Sequence, residues 1–215
     1  DTSVTPALSA RDDHMVENQG VLMSAIHTMD TTSGVDVMKT QAKLAESVRD
    51  INDNAIDNIV LLLPEDMKEE FDAYAKERGY PRIFRPTRTD RAYKAAMELE
   101  ALEPDILQAI MELYDALQLE MVYANEQVLE ATRRWESQEQ IDRMNRFAQR
   151  MSGGSSEQTE SPIRKAEESR RTIEENFLEQ LRMLLTEEQI EALGGLESRS
   201  QRRENRNRGG AGPET

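Results

Sequence analysis

The clearest pattern in the chain is a row of apolar positions that alternate between spacings of three and four residues. The row comprises Leu107, Ile110, Tyr114, Leu117, Met121, Ala124, Val128, Ala131 and Trp135. A period of about 3.5 residues is typical of a long helix that packs along one seam. Beyond Trp135 the pattern is offset by about one residue, which indicates a kink, a change of partner or a helix break near Ser137.

Weaker patterns of the same kind predict further helices, and no stretch alternates as a strand does. Thr89 or Asp90 is expected to cap one of them, and Ser161 followed by Pro162 is expected to start another. The expected fold is all-α, built from long amphipathic helices. The helices are predicted over about 14–29, 36–63, 64–79, 90–104, 107–151 and 162–184, with a short one after Thr186.

The distribution of polar, Gly and Pro residues divides the chain. Residues 1–12 are polar and contain Pro6, so they are predicted to be a flexible arm. Residues 13–196 are predicted to be the helical domain, with a flexible Gly/Ser-rich connection near 152–161. Residues 197–215 lack large apolar side chains and are predicted to be a disordered tail.

Composition narrows the class of partner. The net charge is −15, and 32% of residues are charged against 5% aromatic. Such an acidic chain repels phosphate, so nucleic acid is not expected as a partner. The sequence has no cysteine, and no apolar run approaches the roughly 18 residues that a membrane span needs. The start at Asp1 resembles a mature end left by removal of a leader, so we expect a protein that is periplasmic or otherwise exported.

The sequence contains few residue patterns that could form a catalytic or metal-binding site. There are two histidines and no phosphate-binding loop, nucleophile elbow or paired-histidine zinc helix, so we expect neither enzymatic activity nor a required cofactor. A zinc or copper site is one hypothesis, because imidazole and thioether groups are ligands for these metals. The alternative is that the methionines fill the core and the histidines are surface residues. The candidate ligands are His14, Met23, His27 and Met29.

One basic and aromatic stretch interrupts the acidic chain. Pro81 and Pro86 disfavour a helical conformation in the residues before them, so the stretch is predicted to be extended. It is a candidate recognition loop for an acidic or aromatic partner, through cation–π and bidentate contacts. Alternatively, its aromatic rings pack beneath the loop and its arginines pair with acidic helices. The residues concerned are Tyr80, Arg82, Phe84, Arg85 and Arg88.

A five-residue motif lies near the C-terminal end, at Leu185-Thr186-Glu187-Glu188-Gln189. Thr followed three residues later by Gln, just ahead of apolar residues, predicts a capping box that starts a helix. Partial echoes occur at residues 63–67 and 102–106, with Pro and acidic residues at the helix start.

Leu185, Thr186 and Gln189 give the chain a resemblance to the LTxxQ family of bacterial cell-envelope proteins. That family includes the Spy and CpxP type of stress chaperones and the zinc-resistance-associated proteins. The resemblance implies a bent, four-helix-like hairpin assembly, often a homodimer with a concave cradle, in which the motif organises a turn and performs no chemistry. It also implies a chaperone or adaptor for unfolded or envelope proteins, which we expect to be ATP-independent because the sequence has no nucleotide-binding motif. The alternatives are a metal-responsive sensor or buffer and a structural coiled-coil subunit.

Overall fold

The computed structural model describes residues 4–28, 31–100, 102–151, 153, 160–194 and 196, with the backbone alone at 25–28, 31, 32 and 151. Over these residues the chain forms eight helices and no strand, which confirms the all-α prediction. The predicted tail at 197–215 and most of the predicted connection near 152–161 lie outside the described residues. The helices are α1 (Val4–Thr28), α2 (Thr31–Leu62), α3 (Glu65–Gly79), α4 (Pro81–Phe84), α5 (Arg88–Met97), α6 (Pro104–Met151), α7 (Pro162–Leu184) and α8 (Glu187–Ala192).

The chain divides into two compact units. The first unit comprises residues 1–84 and 129–165, and the second comprises residues 85–128 and 166–215. Helix α6 contributes its N-terminal half to the second unit and its C-terminal half, from Leu129, to the first. Residues 13–196, predicted to be one helical domain, thus contribute to both units.

Helix α1 corrects the prediction of a flexible arm at 1–12. It already begins at Val4 and packs against α2. Pro6 stands in the first helical turn, where a backbone N–H has no helical partner to bond, so the residue is tolerated there. Val4, Ala7 and Leu8 are half-buried and extend the packed face into this segment.

The packed face of α1 is more polar than the sequence pattern indicated. Met23, which the core-filling alternative would place in the interior, is exposed, and so is Met15. The half-buried positions are instead Arg11, His14, Asn18 and Leu22, at helical spacings of three and four.

Polar contacts join the helices of the first unit. Arg49 of α2 donates to a carboxylate oxygen of Glu136 at 2.9 Å and to the backbone oxygen of Arg133 at 2.7 Å, both on α6. The hydroxyl of Ser137 donates to the backbone oxygen of Ala42 at 3.2 Å. The buried apolar residues of this unit are mostly small or medium-sized: Val35, Val37, Ala42, Val48, Ala75, Ile83 and Leu129.

The second unit has a conventional apolar core. Tyr93 of α5 is completely buried, and its hydroxyl donates to the backbone oxygen of Phe177 on α7 at 2.8 Å. Its ring lies 5.9 Å from that of Tyr114. The buried cluster consists of Tyr93, Ala96, Ile110, Leu117, Met121, Phe177, Leu178, Leu181, Leu185 and Leu196.

The long seam of α6 is confirmed over most of its length. Its members from Ile110 to Val128 are buried or half-buried, whereas Trp135 is exposed. The helix runs through Ser137 without a break. Of the three explanations for the offset in the pattern, a change of partner fits, because α6 passes from the second unit to the first at Leu129.

Candidate functional site

The motif at Leu185 forms the predicted capping box. The hydroxyl oxygen of Thr186 accepts from the backbone N–H of Gln189 at 3.3 Å, and the Gln189 side chain accepts from the backbone N–H of Thr186 at 2.9 Å. Leu185 is buried in the second unit's core. Gly194 closes α8 with a φ of 74°, a backbone conformation that glycine adopts without strain. The motif thus fixes the turn between α7 and α8.

A second capping box lies in the same unit and was missed. Thr87 caps α5, so the prediction that Thr89 or Asp90 would cap it is wrong. The backbone N–H of Thr87 donates to Asp90 at 2.7 Å, and the backbone N–H of Asp90 donates to the Thr87 hydroxyl at 3.1 Å. Thr89 is buried, with its hydroxyl 3.5 Å from the backbone oxygen of Glu174. The signal in the sequence was Thr-x-x-Asp, a variant of the usual Thr-x-x-Glu/Gln.

Helix α6 holds this second box in place. The side-chain amide of Gln118 donates to the other carboxylate oxygen of Asp90 at 2.6 Å. Burial alone would raise the pKa of Asp90, but the hydrogen bonds from Thr87 and Gln118 outweigh burial and keep that pKa below its ordinary value.

The two partial echoes of the motif are not capping boxes. Pro64 stands at the cap position of α3, with no side-chain hydrogen bond, and the backbone N–H of Met67 donates to the Pro64 oxygen at 3.0 Å. Helix α6 begins at Pro104 itself. Each helix has a proline at its start, where the missing N–H of proline is tolerated. Each also has at least one carboxylate in its first turn, where the helix dipole favours negative charge.

The described candidate metal ligands do not converge. His14 is half-buried, and its Nδ1 lies 3.1 Å from the side-chain oxygen of Gln41 on α2. Met23 is nine residues further on, which places it roughly 180° around α1 from His14. The side chain of His27 and the whole of Met29 lie outside the described residues. Among the side chains that the structure describes, no three His, Asp or Glu residues are grouped to hold a metal ion.

The stretch from Tyr80 to Arg88 is not extended as predicted. Pro81 begins the single helical turn of α4, since proline suits the first helical position, and Arg88 begins α5. Arg82 and Arg85 are exposed, whereas Phe84 is half-buried beneath the ammonium group of Lys76, which lies 5.9 Å from the ring centre. The alternative in which the aromatic rings pack beneath the segment describes Phe84 better.

Tyr80 belongs to a polar cluster inside the first unit. Its hydroxyl donates to Asp53 of α2 at 2.6 Å, and Asp53 pairs with Arg133 of α6 at 2.8 Å. The Arg133 guanidinium also lies over the Tyr80 ring, 5.6 Å from its centre. Burial, followed by the hydrogen bond to Asp53, raises the pKa of Tyr80 to about 12. This cluster ties three elements together and leaves Tyr80 poorly placed to contact a partner.

The two most exposed large apolar residues in the described part of the first unit, Leu61 and Leu62, lie at the end of α2 and were not singled out from the sequence. We define the α2–α3 corner as the exposed apolar residues on either side of the turn between these helices, namely Ile59, Leu61, Leu62 and Met67. Leu61 is 74% exposed and Leu62 is 86% exposed. The signal was present in the run Ile59-Val60-Leu61-Leu62-Leu63, because five consecutive apolar residues cannot all face one side of a helix.

A separate apolar group lies on the outer face of α6 in the second unit. We define this α6 stripe as Met111, Leu119, Val122 and Tyr123, all of which are exposed. They lie on the opposite side of the helix from the buried seam. The apolar period of α6 follows the buried seam, so it did not predict the stripe.

Comparisons with family models, curated proteins and solved structures give no match. None of the helices in the described residues is long and apolar enough to cross a membrane. The function of the chain is therefore inferred from the surfaces and contacts described above.

Proposed function

We propose that this chain is a non-enzymatic, exported helical protein of the LTxxQ type that acts as an ATP-independent envelope-stress chaperone or adaptor. It holds apolar segments of unfolded or envelope proteins on exposed apolar surfaces. The observation that supports this most is the α2–α3 corner, where Leu61 and Leu62 stand 74% and 86% exposed.

Apolar side chains in contact with water are unfavourable in free energy, and a partner that covers them would remove this contribution. Covering a Leu side chain contributes roughly 1.5–3 kcal/mol relative to leaving it in water. Neighbouring apolar groups at the surface, rimmed by polar residues, typically mark interaction sites. Asp57, Glu65 and Asp66 are exposed and lie close to these residues in the sequence.

The interior of the first unit is consistent with this role. Ion pairs and hydrogen bonds through Arg49, Asp53 and Tyr80 join its helices. Fewer of its large apolar side chains are buried in a core than in the second unit. Most of the exposed large hydrophobic residues in the described chain belong to the first unit.

The direct test is suppression of aggregation without nucleotide. The protein, at substoichiometric to equimolar concentration, should keep several chemically unfolded clients in solution, including acidic and basic ones. A Leu61→Ser, Leu62→Ser double variant should lose much of this activity, because it removes the apolar groups of the corner. Leu119→Ser, at an equally exposed leucine in the other unit, is the matched control for an acidic client. Unchanged aggregation with every client would refute the chaperone proposal.

The metal-responsive alternative stays a prediction, since two of its four candidate ligands lie outside the described side chains. Calorimetry with zinc and copper on the parent protein and on a His14→Ala, His27→Ala variant would test it.

The homodimer is also still a prediction. The seam from Ile110 to Val128 does not require a second subunit, because it is buried within this chain.

A further inference from the structure

We propose that the α6 stripe is a second docking surface, distinct from the α2–α3 corner, and that it binds a cationic amphipathic helix. Leu119, Val122 and Tyr123 are 76%, 64% and 68% exposed. They belong to a helix whose opposite face is anchored in the buried core through Leu117 and Met121. The stripe is therefore a fixed surface that is already formed before a partner arrives.

Helical geometry places the stripe on one side of α6. Residues at spacings of three, four, eight and eleven share a helix face, and Met111, Leu119 and Val122 are separated in this way. Tyr123 lies four residues beyond Leu119 and widens the same face. From Met111 to Glu126 the face is roughly 22 Å long, which matches four turns of a partner helix.

The charge of this face indicates the chemistry of the partner. From Pro104 to Thr132 the sequence contains no Lys or Arg. Exposed carboxylates accompany the apolar residues along α6: Glu112, Asp115 and Glu126 lie on the same face, and Glu120 lies at its edge. Apolar residues bordered by one sign of charge favour a segment that carries apolar groups between charges of the opposite sign. A helix with Lys or Arg beside Leu or Phe meets both requirements.

The same charge argues against other occupants. A second copy would bring an identical acidic face against this one, and the whole chain carries a net charge of −15. An anionic lipid surface would be repelled in the same way. The arginine-rich residues after Leu196 offer positive charge but no large apolar side chain to cover the stripe.

The experiment uses fluorescence anisotropy with the full chain and three synthetic peptides of about sixteen residues. The probe carries Leu on one helical face and Lys on the other. One comparison peptide replaces Lys with Glu, and the other replaces Leu with Ser. The probe should bind most tightly, and added salt should weaken its binding, because exposed charges are screened. Equal binding of the Ser peptide would overturn the proposal, since charge alone would then explain the affinity.

Protein variants locate the binding surface. A Leu119→Ser, Val122→Ser variant should bind the probe about tenfold more weakly or worse, which corresponds to about 1.4 kcal/mol. An Asp115→Asn, Glu120→Gln variant should weaken binding chiefly at low salt. The Leu61→Ser, Leu62→Ser variant is the matched control and should bind normally. Loss of binding in this control, or normal binding in the Leu119 variant, would place the peptide elsewhere and overturn the proposal.

A measurement on the unmodified protein guards against variants that fail to fold. The probe, fitted with a photoreactive benzophenone on its apolar face, should cross-link within residues 111–126. Cross-links confined to other segments would contradict the proposal. Aggregation suppression by the same protein is scored separately, so the stripe proposal and the chaperone proposal can each fail without the other.

Discussion

At the residue scale, the capping box at Thr186 is a local feature whose contribution can be isolated. Thr186→Ala removes the oxygen that accepts from the Gln189 N–H. We expect a loss of about 1 kcal/mol in the free energy of unfolding, measured by urea denaturation. Thr186→Ser keeps the hydroxyl and should leave stability nearly unchanged. Equal losses in the two variants would mean that the side-chain cap is not what stabilises this turn.

Tyr93 is the other residue with a measurable signature. Burial raises its pKa to about 12, from 10.0 for an exposed tyrosine. Between these values the unfolded chain releases the phenolic proton while the folded chain retains it, so stability should fall as pH rises from about 10 to 12. Tyr93→Phe should reduce this fall, while still costing about 1 kcal/mol at neutral pH for the lost hydrogen bond.

The control is Tyr123→Phe, because Tyr123 is exposed. Urea unfolding at several alkaline pH values gives the free energy of unfolding as a function of pH. This pH dependence should be the same for the variant and for the parent protein. Tyr80, whose pKa is also raised to about 12, contributes to the fall as well. If Tyr93→Phe leaves the fall of stability with pH unchanged, Tyr93 titrates normally in the folded state.

These residues also show what sequence can predict. The box at Thr186 follows a strong local rule, so it was predicted correctly. The box at Thr87 uses Asp90 in place of Glu or Gln and depends on Gln118, which lies 28 residues away. Tyr93 was missed because its burial requires α7, whose position no local pattern near Tyr93 specifies.

At the element scale, α6 was the helix best predicted by its apolar period. Leu117 is completely buried in its seam. Leu117→Asp should therefore destabilise the protein by roughly 3–5 kcal/mol, because it buries an unpaired charge. Thermal and urea unfolding would measure this loss.

The structure changes the choice of control for that experiment. Gln118, one position off the seam, is not a neutral site for Asp, because its amide donates to Asp90 and a carboxylate there would face another carboxylate. Leu119→Asp is the better control, because Leu119 is 76% exposed. If Leu117→Asp and Leu119→Asp had the same melting temperature, the assignment of the seam to the core would be wrong.

Helix α1 illustrates the limit of apolar periodicity. Its methionines suggested a buried face, but the side that packs carries His14 and Asn18. The Asn18 amide donates to the backbone oxygen of His14 at 2.9 Å, and His14 meets Gln41. A helix that packs through polar groups gives little apolar signal, so only the partner helix reveals which face is covered.

At the scale of the whole molecule, the two units differ in how they are held together. The second unit has a continuous apolar core, whereas the first depends on polar contacts through Arg49, Asp53 and Tyr80. We expect backbone amides of α5 and of α6 before Leu129 to exchange with deuterium more slowly than those of α1 and α3. Equal protection in these helices would contradict this contrast.

The measurement that tests the central proposal most directly is hydrogen–deuterium exchange with and without an unfolded, acidic client. If apolar segments dock at the α2–α3 corner, exchange over residues 57–74 should slow on client binding, while α5 and α7 remain unchanged. The Leu61→Ser, Leu62→Ser variant should show neither this protection nor full suppression of aggregation. If the parent protein suppresses aggregation while residues 57–74 exchange at the same rate with and without client, the corner is not the client-binding surface.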